Sequence, residues 1–207
     1  MASSSPQQQT APGGTLPDRE QHARDALAAV RAGHTEAFAR IVGLYQAEIM
    51  TLALALMRNF TVAEELTQDA FVRVYRHLDS FDNRRPFYPW LAKITYRLAQ
   101  SWRQQRAREA LQRAAAEAKQ PPQPDDDPAS ALLADERARE LWLAVQALPA
   151  RERAAVILYY RKGLRVSEAA QVMGVSAGTV KTFLLRARRH LAVALGPSAQ
   201  ISTRRPL

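Results

Sequence analysis

The 207-residue chain contains no cysteine, so it has no disulfide framework, no thiolate metal site and no cysteine nucleophile. A cysteine-free composition suits a reducing cytosol. The four histidines, at positions 22, 34, 77 and 190, lack the spacing of zinc ligands. The sequence also has no glycine-rich phosphate loop and no nucleophile motif. We therefore expect a protein that is not an enzyme and that uses neither a metal nor a cofactor.

The sequence has no signal peptide and no long apolar run. Residues 1–9 carry neither the basic nor the apolar block of a secretory signal. The longest apolar run, residues 49–57, is far shorter than the ~20 residues that a membrane helix needs. These absences predict a soluble, cytoplasmic protein without membrane insertion.

Acidic residues are outnumbered by basic ones, 20 to 29, which gives a formal charge of +9 and a pI near 10.4. A cationic surface that contacts phosphates releases counterions, so this charge favours a polyanionic partner. No acidic residue at all follows Ser176. The segment after Ser176 therefore carries only positive charge, while the rest of the chain carries charges of both signs.

Residues 164–191 predict two short helices joined by a turn at Gly174, where glycine can adopt a positive φ without steric cost. In the second helix an apolar seam recurs at steps of four, three and four: Val180, Leu184, Ala187 and Leu191. The remaining positions favour DNA contact in a major groove. The predicted DNA-binding residues are Ser176, Thr179, Lys181, Thr182, Phe183, Arg186, Arg188 and Arg189. The alternative is a solvated basic helix of a small bundle.

No segment alternates with period two, so the predicted fold class is all-α: two small helical domains joined by a flexible linker. Low hydrophobicity predicts a disordered tail over residues 1–20, and the proline- and aspartate-rich run near residue 125 marks the linker. The predicted divisions are 1–20 (tail), 21–108 (first domain), 109–128 (linker), 129–195 (helix-turn-helix domain) and 196–207 (disordered tail).

The helix that follows residue 60 combines a predicted capping box with an acidic face. Thr61 and Glu64 have the spacing at which each satisfies the other's free amide. One side of the helix is apolar, and the other carries Glu64, Glu65, Gln68, Asp69 and Arg73. Helix-dipole stabilisation accounts for the two glutamates but less well for Asp69. A basic protein partner is the functional alternative for this face.

Between residues 84 and 108 seven cations occur without a carboxylate, interleaved with aromatic residues. Cations for a backbone and rings for unstacked bases are what single-strand binding requires. Most of these rings could equally belong to the core. A core position is the better interpretation for Trp90, because it shares a face with Ile94. For Tyr88, Tyr96 and Trp102, a core position and a DNA-contacting position both stay open. The predicted strand-capturing residues are Ser80, Phe81, Asn83, Arg84, Arg85, Tyr88, Lys93, Tyr96, Arg97 and Trp102.

Taken together, these blocks resemble a bacterial extracytoplasmic-function (ECF, group 4) sigma factor of the sigma-70 family. The resemblance covers about residues 25–108 (region 2) and 129–193 (region 4). It is carried by residues 63–71, the loop through Phe81 and residues 90–94 in the first block. In the second block it is carried by Leu148-Pro149, Arg153, Gly163-Leu164, residues 178–181 and residues 186–188.

The resemblance implies a promoter-specificity subunit of RNA polymerase. In such a protein the helix with the acidic face docks on the β′ clamp helices, and the second domain contacts the β flap. The loop at residues 79–85 holds a flipped base of the −10 element, and the recognition helix from Ala177 reads the −35 element. The two DNA-contacting segments then lie about 60 Å apart, the length of roughly 17 base pairs at a rise of ~3.4 Å per base pair. An anti-sigma factor is the expected regulator, and the sigma factor is monomeric in the holoenzyme.

Several positions depart from the family pattern. Arg97 stands where an asparagine is common, and Arg165 replaces a helix-capping serine typically worth ~1 kcal/mol. Phe183 replaces an arginine, so the preferred −35 sequence is expected to be unusual.

Two other functions compete with the sigma factor. A stand-alone helix-turn-helix regulator would bind a palindromic operator as a dimer without polymerase. An antagonist that mimics a sigma factor would not need basic surfaces in both halves. The acidic face and the cationic, aromatic segment argue against the regulator, and the basic DNA-facing surfaces in both halves argue against the antagonist.

Overall fold

The computed structural model describes residues 16–116 and 136–196, and within these two ranges all regular structure is helical, which confirms the all-α prediction. The helices are α1 (Leu16–Arg31), α2 (Phe38–Met57), α3 (Phe60–Arg76), α4 (Phe87–Ala116), α5 (Glu136–Ala147), α6 (Ala150–Val156), α7 (Val166–Met173) and α8 (Ala177–Leu195). The predicted tails and linker lie largely outside the described residues. By its contacts the chain forms two compact units, Met1–Leu44 and Tyr45–Leu207.

In the first unit, α1 is joined through a 3-10 turn, Thr35–Ala37, to the start of α2. Gly33 precedes this turn with φ +99, a backbone conformation that residues other than glycine rarely adopt. Ala23, Ala26 and Leu27 are fully buried, so α1 has one covered apolar side. The boundaries predicted for the domains stay a prediction.

The second unit begins within α2, a strongly apolar helix. By length and composition alone, Thr35–Met57 could cross a membrane, and 44% of its apolar 18-residue window is buried. Ile49, Leu52 and Ala55 have no exposed surface, so we interpret this segment as a core helix. The helix ends at Met57, and the next residue, Arg58, is a non-glycine residue in the left-handed region with φ +57.

The N-cap of α3 is Asn59, whose side-chain oxygen accepts from the backbone N–H of Val62 at 2.8 Å. The capping box predicted for Thr61 and Glu64 is therefore wrong: Thr61 already lies inside the helix. Asn59 is the better cap because it has the extended backbone that an N-cap needs. The predicted apolar side is confirmed, since Leu66, Ala70 and Val74 are fully buried.

Helix α4 is covered on more than one side, by α3 and by α7. It therefore buries adjacent pairs along its length instead of a single narrow seam; the buried residues are Phe87, Tyr88, Leu91, Ala92, Thr95, Tyr96 and Ala99. The helix continues to Ala116, eight residues beyond the predicted end of the first domain at 108. Residues 105–116 are rich in alanine, glutamine, arginine and glutamate, all good helix formers.

The C-terminal helices form a helix-turn-helix supported by α5 and α6. Helix α6 continues as a π-helical stretch, Ile157–Arg161, and the chain turns at Gly163 with φ +65. Gly174 joins α7 to α8 with φ +66, as predicted. The predicted seam of α8 is also confirmed, because Val180, Leu184, Ala187 and Leu191 are all 4% exposed or less.

Candidate nucleic-acid interface

Helix α8 has a well-defined N-terminus. The Ser176 hydroxyl accepts from the backbone N–H of Thr179 at 3.1 Å and lies 2.8 Å from the Thr179 hydroxyl. The Thr182 hydroxyl donates to the Gly178 carbonyl at 3.0 Å. Capping fixes where the helix begins, so the positive end of its dipole and its first exposed side chains have a set direction.

The exposed side of α8 is cationic. Lys181, Arg186 and Arg189 are exposed, whereas Arg188 is half-buried and its Nε donates to the Leu184 carbonyl at 3.3 Å. Phe183 is half-buried. The apolar seam therefore anchors the helix while three cations point outward, which is the arrangement a major-groove helix needs.

Helix α7 keeps half of an N-terminal cap, although Arg165 stands in place of the capping serine that is common in the family. The Glu168 carboxylate accepts from the Arg165 backbone N–H at 2.7 Å. This is the carboxylate half of a capping box, in which Glu168 at the third helical position satisfies a free amide. Sequence reasoning concentrated on the missing serine and overlooked Glu168, although its spacing was the available signal.

Three of the rings predicted to capture an unpaired strand are buried. Phe81 is 5% exposed, Tyr88 8% and Tyr96 4%. Phe81 meets Phe87 edge-on, with ring centroids 5.2 Å apart, and Trp90 at 4.9 Å. For Tyr88 and Tyr96 the structure favours the core alternative, because two helices cover α4. Trp90 and Trp102 are half-buried, so Trp90 is less enclosed than its predicted core position implied.

Other predicted strand-binding residues lie on an exposed loop and on one side of α4. Ser80, Asn83, Arg84, Arg85 and Arg97 are exposed, and Lys93 is half-buried. Asp82 organises the loop: its carboxylate accepts from the Arg84 backbone N–H at 3.0 Å and lies 3.6 Å from the Arg85 guanidinium.

A cavity of about 370 Å³ lies between α3, the turn after it and α4. It brings together Ser80 and Arg97, two predicted strand-binding residues, with Arg73, which was assigned to the polymerase-docking set. Its lining residues are Arg73, His77, Ser80, Trp90, Ile94, Arg97, Leu98 and Ser101. His77, Trp90, Ile94, Leu98 and Ser101 were not among the predicted site residues. The three-and-four spacing from Trp90 to Ser101 was the signal that could have identified this side of α4.

The acidic face predicted on α3 is exposed as a unit. Glu64, Glu65, Gln68 and Asp69 all face solvent on the side opposite the buried seam. Glu64 and Gln68, like Glu65 and Asp69, are four residues apart and therefore lie above one another on the helix. The face is available to a partner protein.

Arg153, at 2% exposure, is held by carbonyl oxygens from two different parts of the chain. Its Nη1 donates to the carbonyls of Gln146 at 2.6 Å and Leu148 at 2.7 Å, and its Nε donates to the carbonyl of Ala55. Burial, and secondly the cations Arg58 and Arg103, lower the pKa of Arg153 from its usual value to about 10. The guanidinium is still charged at neutral pH.

A larger cavity of about 610 Å³ lies between α4 and the helices α6 and α8. Tyr96 and Arg103 line it from α4, and Phe183 and Arg186 line it from α8. Residues predicted to read two different DNA elements therefore share one cavity.

The sequence matches two family models, sigma-70 region 2 over residues 41–109 and sigma-70 region 4 over residues 138–191. The chain is 30% identical over 169 residues to the ECF RNA polymerase sigma factor SigW of Bacillus subtilis, in a match that covers 78% of this chain and 90% of SigW. The chain belongs to the sigma-70 family. Specifically, it is an ECF sigma factor, an alternative sigma factor that directs transcription initiation.

Two further comparisons extend the match. The sigma factor is 33% identical over 159 residues to the probable RNA polymerase sigma factor RfaY of Xanthomonas campestris pv. campestris. That match covers 76% of this chain but only 40% of RfaY. The structure of the present chain is similar to that of the sigma factor RpoE of Bartonella quintana, which was solved in complex with the anti-sigma factor NepR. The TM-score is 0.64 and the identity 25%, over 76% of this chain and 96% of that chain.

The family regions contain the surfaces described above. Region 2 includes the acidic face of α3 and the 370 Å³ cavity, and region 4 includes the helix-turn-helix and Arg153. The family consists of sigma factors, which are not enzymes. In residues 16–116 and 136–196, no group of three or more histidine, aspartate or glutamate side chains is placed to hold a metal ion.

Proposed function

We propose that this sigma factor docks on core RNA polymerase through the acidic face of α3 and reads promoter DNA with both regions. The observation that carries the proposal is the separation of charge. Region 2 presents an exposed acidic face on α3, and region 4 presents a capped helix whose exposed cations have no acidic neighbour along the sequence. One surface suits a basic protein and the other suits phosphates.

Helix α8 is the proposed reader of the −35 element. Its N-terminal amides and dipole suit a phosphate, which would fix the position of the helix on the duplex. Lys181, Thr182 and Arg186 would then face base edges in the major groove. Phe183, lacking hydrogen-bond donors, would contact a thymine methyl group or the backbone, and this favours a −35 sequence different from that read by an arginine.

The 370 Å³ cavity is the proposed receptor for an unpaired base of the −10 element. Its volume lies within the roughly 300–1,000 Å³ of small-ligand pockets. Trp90 supplies a ring for stacking, and Arg73 and Arg97 supply cations for the adjacent phosphates. Capturing a base there would offset the cost of unstacking it. The cavity replaces the buried rings of Tyr88 and Tyr96 as the strand-binding feature.

The partners that follow from this function are core polymerase, promoter DNA and an anti-sigma factor. We place the contacts with polymerase on the β′ clamp helices for region 2 and on the β flap for region 4, with one sigma factor per holoenzyme. Transcription takes place in the bacterial cytoplasm, which is the proposed location. The RpoE–NepR complex supports the anti-sigma partner by fold similarity.

Paired charge reversals test the two surfaces separately. Lys181→Glu should abolish initiation that depends on the −35 element while core binding is unchanged. Asp69→Arg should weaken core binding and leave the isolated region 4 surface intact. Promoter-dependent transcription and core co-purification measure the two effects. Arg40→Glu on α2 and Asp25→Arg on α1 are the matched controls, since both positions are exposed. Loss of core binding in Lys181→Glu, or unchanged core binding in Asp69→Arg, would contradict these roles.

A further inference from the structure

His190 and Glu152 connect the helix proposed to contact the −35 element with the helix that supports it. The Nδ1 atom of His190, on α8, lies 2.8 Å from the Oε2 atom of Glu152, on α6. A carboxylate only accepts hydrogen bonds, so the histidine N–H donates. The two residues are 38 positions apart, so the bond is a tertiary contact within region 4. Among residues 16–116 and 136–196, no other group bonds to the Glu152 carboxylate.

The two partners differ in burial. The Glu152 side chain is 8% exposed, whereas the His190 side chain is 55% exposed. A buried carboxylate that loses its hydrogen-bond donor is left unsatisfied away from water, and this is costly. Ion pairs between two exposed side chains contribute little, because water replaces either partner. The burial of Glu152 therefore makes the bond to His190 a persistent constraint on α8.

We propose that His190 is a positioning residue for promoter recognition: its bond to Glu152 fixes the rotation of α8 about its own axis and so sets the direction of Phe183 and Arg186. In this role His190 acts through Glu152 and does not itself touch DNA. The inference rests on the proposed function, because it takes α8 to contact the −35 element.

His190 lies on the same side of α8 as two of the residues proposed to contact DNA. Phe183, Arg186 and His190 follow one another at steps of three and four, which places them along one side of a helix. Arg186 is exposed and Phe183 is half-buried, so this side adjoins the exposed cationic surface. A rotation of α8 that broke the bond at His190 would therefore turn Phe183 and Arg186 by the same angle.

The apolar seam of α8 does not fix this rotation by itself. Apolar burial is non-directional, and Ala187, near the middle of the seam, ends in a single methyl group. A hydrogen bond, in contrast, weakens steeply when its angle departs from linear. Side chains that contact a ligand have to be held within ~10–20° of their working direction. The bond from His190 to Glu152 supplies the angular constraint that the seam lacks.

The element that presents Glu152 is itself firmly held within region 4. Glu152 lies in the first turn of α6. The next residue, Arg153, donates through Nη1 to the carbonyls of Gln146 at 2.6 Å and Leu148 at 2.7 Å. Ala154, which follows, is fully buried. The carboxylate is therefore offered from a fixed support, which is what a positioning contact requires.

Variants of the full chain, each assembled with core polymerase, test the proposal. Initiation is measured on a promoter that the sigma factor uses and on the same fragment with its −35 element replaced. The ratio of the two rates is the −35 dependence. His190→Ala removes the donor, and Glu152→Met removes the acceptor while filling the buried position with an apolar side chain of similar length. Glu152→Gln keeps an acceptor oxygen at that position, and His22→Ala is the matched control at an exposed histidine of α1.

His190→Ala and Glu152→Met should each lower the −35 dependence by roughly tenfold, the scale of one lost base contact. The double variant should be no worse than either single variant, because both changes remove the same bond. Glu152→Gln should retain most of the −35 dependence, and His22→Ala should retain all of it.

Three further readouts separate positioning from stability and from direct DNA contact. Core binding should be unchanged in every variant. The salt slope of promoter binding should also be unchanged, since no phosphate contact is lost. Because His190 is more than half exposed and can be hydrated, Glu152→Met should not lower the Tm.

A fall of about 0.9 in the salt slope of His190→Ala, with no effect of Glu152→Met, would make His190 a phosphate contact and overturn the proposal. An unchanged −35 dependence in both variants, or additive losses in the double variant, would also overturn it. The unmodified chain judges the proposed function separately. If its holoenzyme initiated equally well on both fragments, region 4 would have no −35 role and the positioning role of His190 would fall with it.

Discussion

Substitution by alanine should change the stability of the chain in opposite directions at two glycines of the helix-turn-helix, Gly174 and Gly178. Gly174 adopts φ +66, and an added Cβ would meet no atom within 4 Å, so Gly174→Ala has only a backbone cost. For a left-handed conformation that cost is about 1–2 kcal/mol. Gly178 lies in the first turn of α8, where a Cβ would make an ordinary 3.7 Å contact with the Ser176 hydroxyl oxygen. Gly178→Ala should therefore stabilise the chain, by about 0.5–1 kcal/mol.

Thermal unfolding followed by circular dichroism separates the two variants. For a chain of about this length, 1 kcal/mol corresponds to a shift in Tm of roughly 2–4 °C. We expect Gly174→Ala to lower the Tm and Gly178→Ala to raise it, and urea unfolding should give the same signs. If both variants shifted the Tm in the same direction, the assignment of Gly174 to the left-handed turn and of Gly178 to helix would be refuted.

Three other predictions concern helix ends and the cavity proposed to bind the unpaired strand. Asn59→Ala should cost about 1 kcal/mol in urea unfolding because it removes the N-cap of α3, whereas Thr61→Ala should cost much less; a larger loss for Thr61→Ala would restore the predicted capping box. Arg58→Gly should raise stability by about 1 kcal/mol, since glycine adopts φ +57 without strain, and a lower Tm would count against this. Arg97→Ala should reduce the salt slope for holoenzyme binding to a single-stranded −10 oligonucleotide by about 0.7, the value of one phosphate contact; an unchanged slope would place Arg97 away from the backbone.

Local periodicity was sufficient to predict the parts of the fold that depend on neighbours in sequence. The seam from Val180 to Leu191 was found because steps of three and four place side chains on one side of a helix. Gly174 was found because few residues tolerate its backbone conformation. The cap of α3 was misplaced because Asn59 and Thr61 are both good N-caps, and only the backbone conformation distinguishes them.

The features that depend on distant contacts were beyond local patterns. Tyr96 is buried because α7 covers a second side of α4, and no spacing within α4 shows this. Arg153 was noted only as a residue shared with the family, yet one of its acceptors, Ala55, lies 98 positions away in sequence. The continuation of α4 to Ala116 is likewise absent from the apolar pattern, because apolar periodicity stops near residue 107 while helix propensity continues.

On the proposed function, the extra length of α4 shortens the segment that joins the two DNA-contacting regions, and so restricts the promoter spacing. Between Ala116 and Glu136 lie 19 residues, 117–135, which makes 20 steps between Cα atoms. At full extension such a tether reaches at most ~70 Å. A spacer of roughly 17 base pairs already requires about 60 Å, and each added base pair requires ~3.4 Å more. On the proposed function, activity should therefore fall on promoters whose spacer is lengthened by more than about three base pairs.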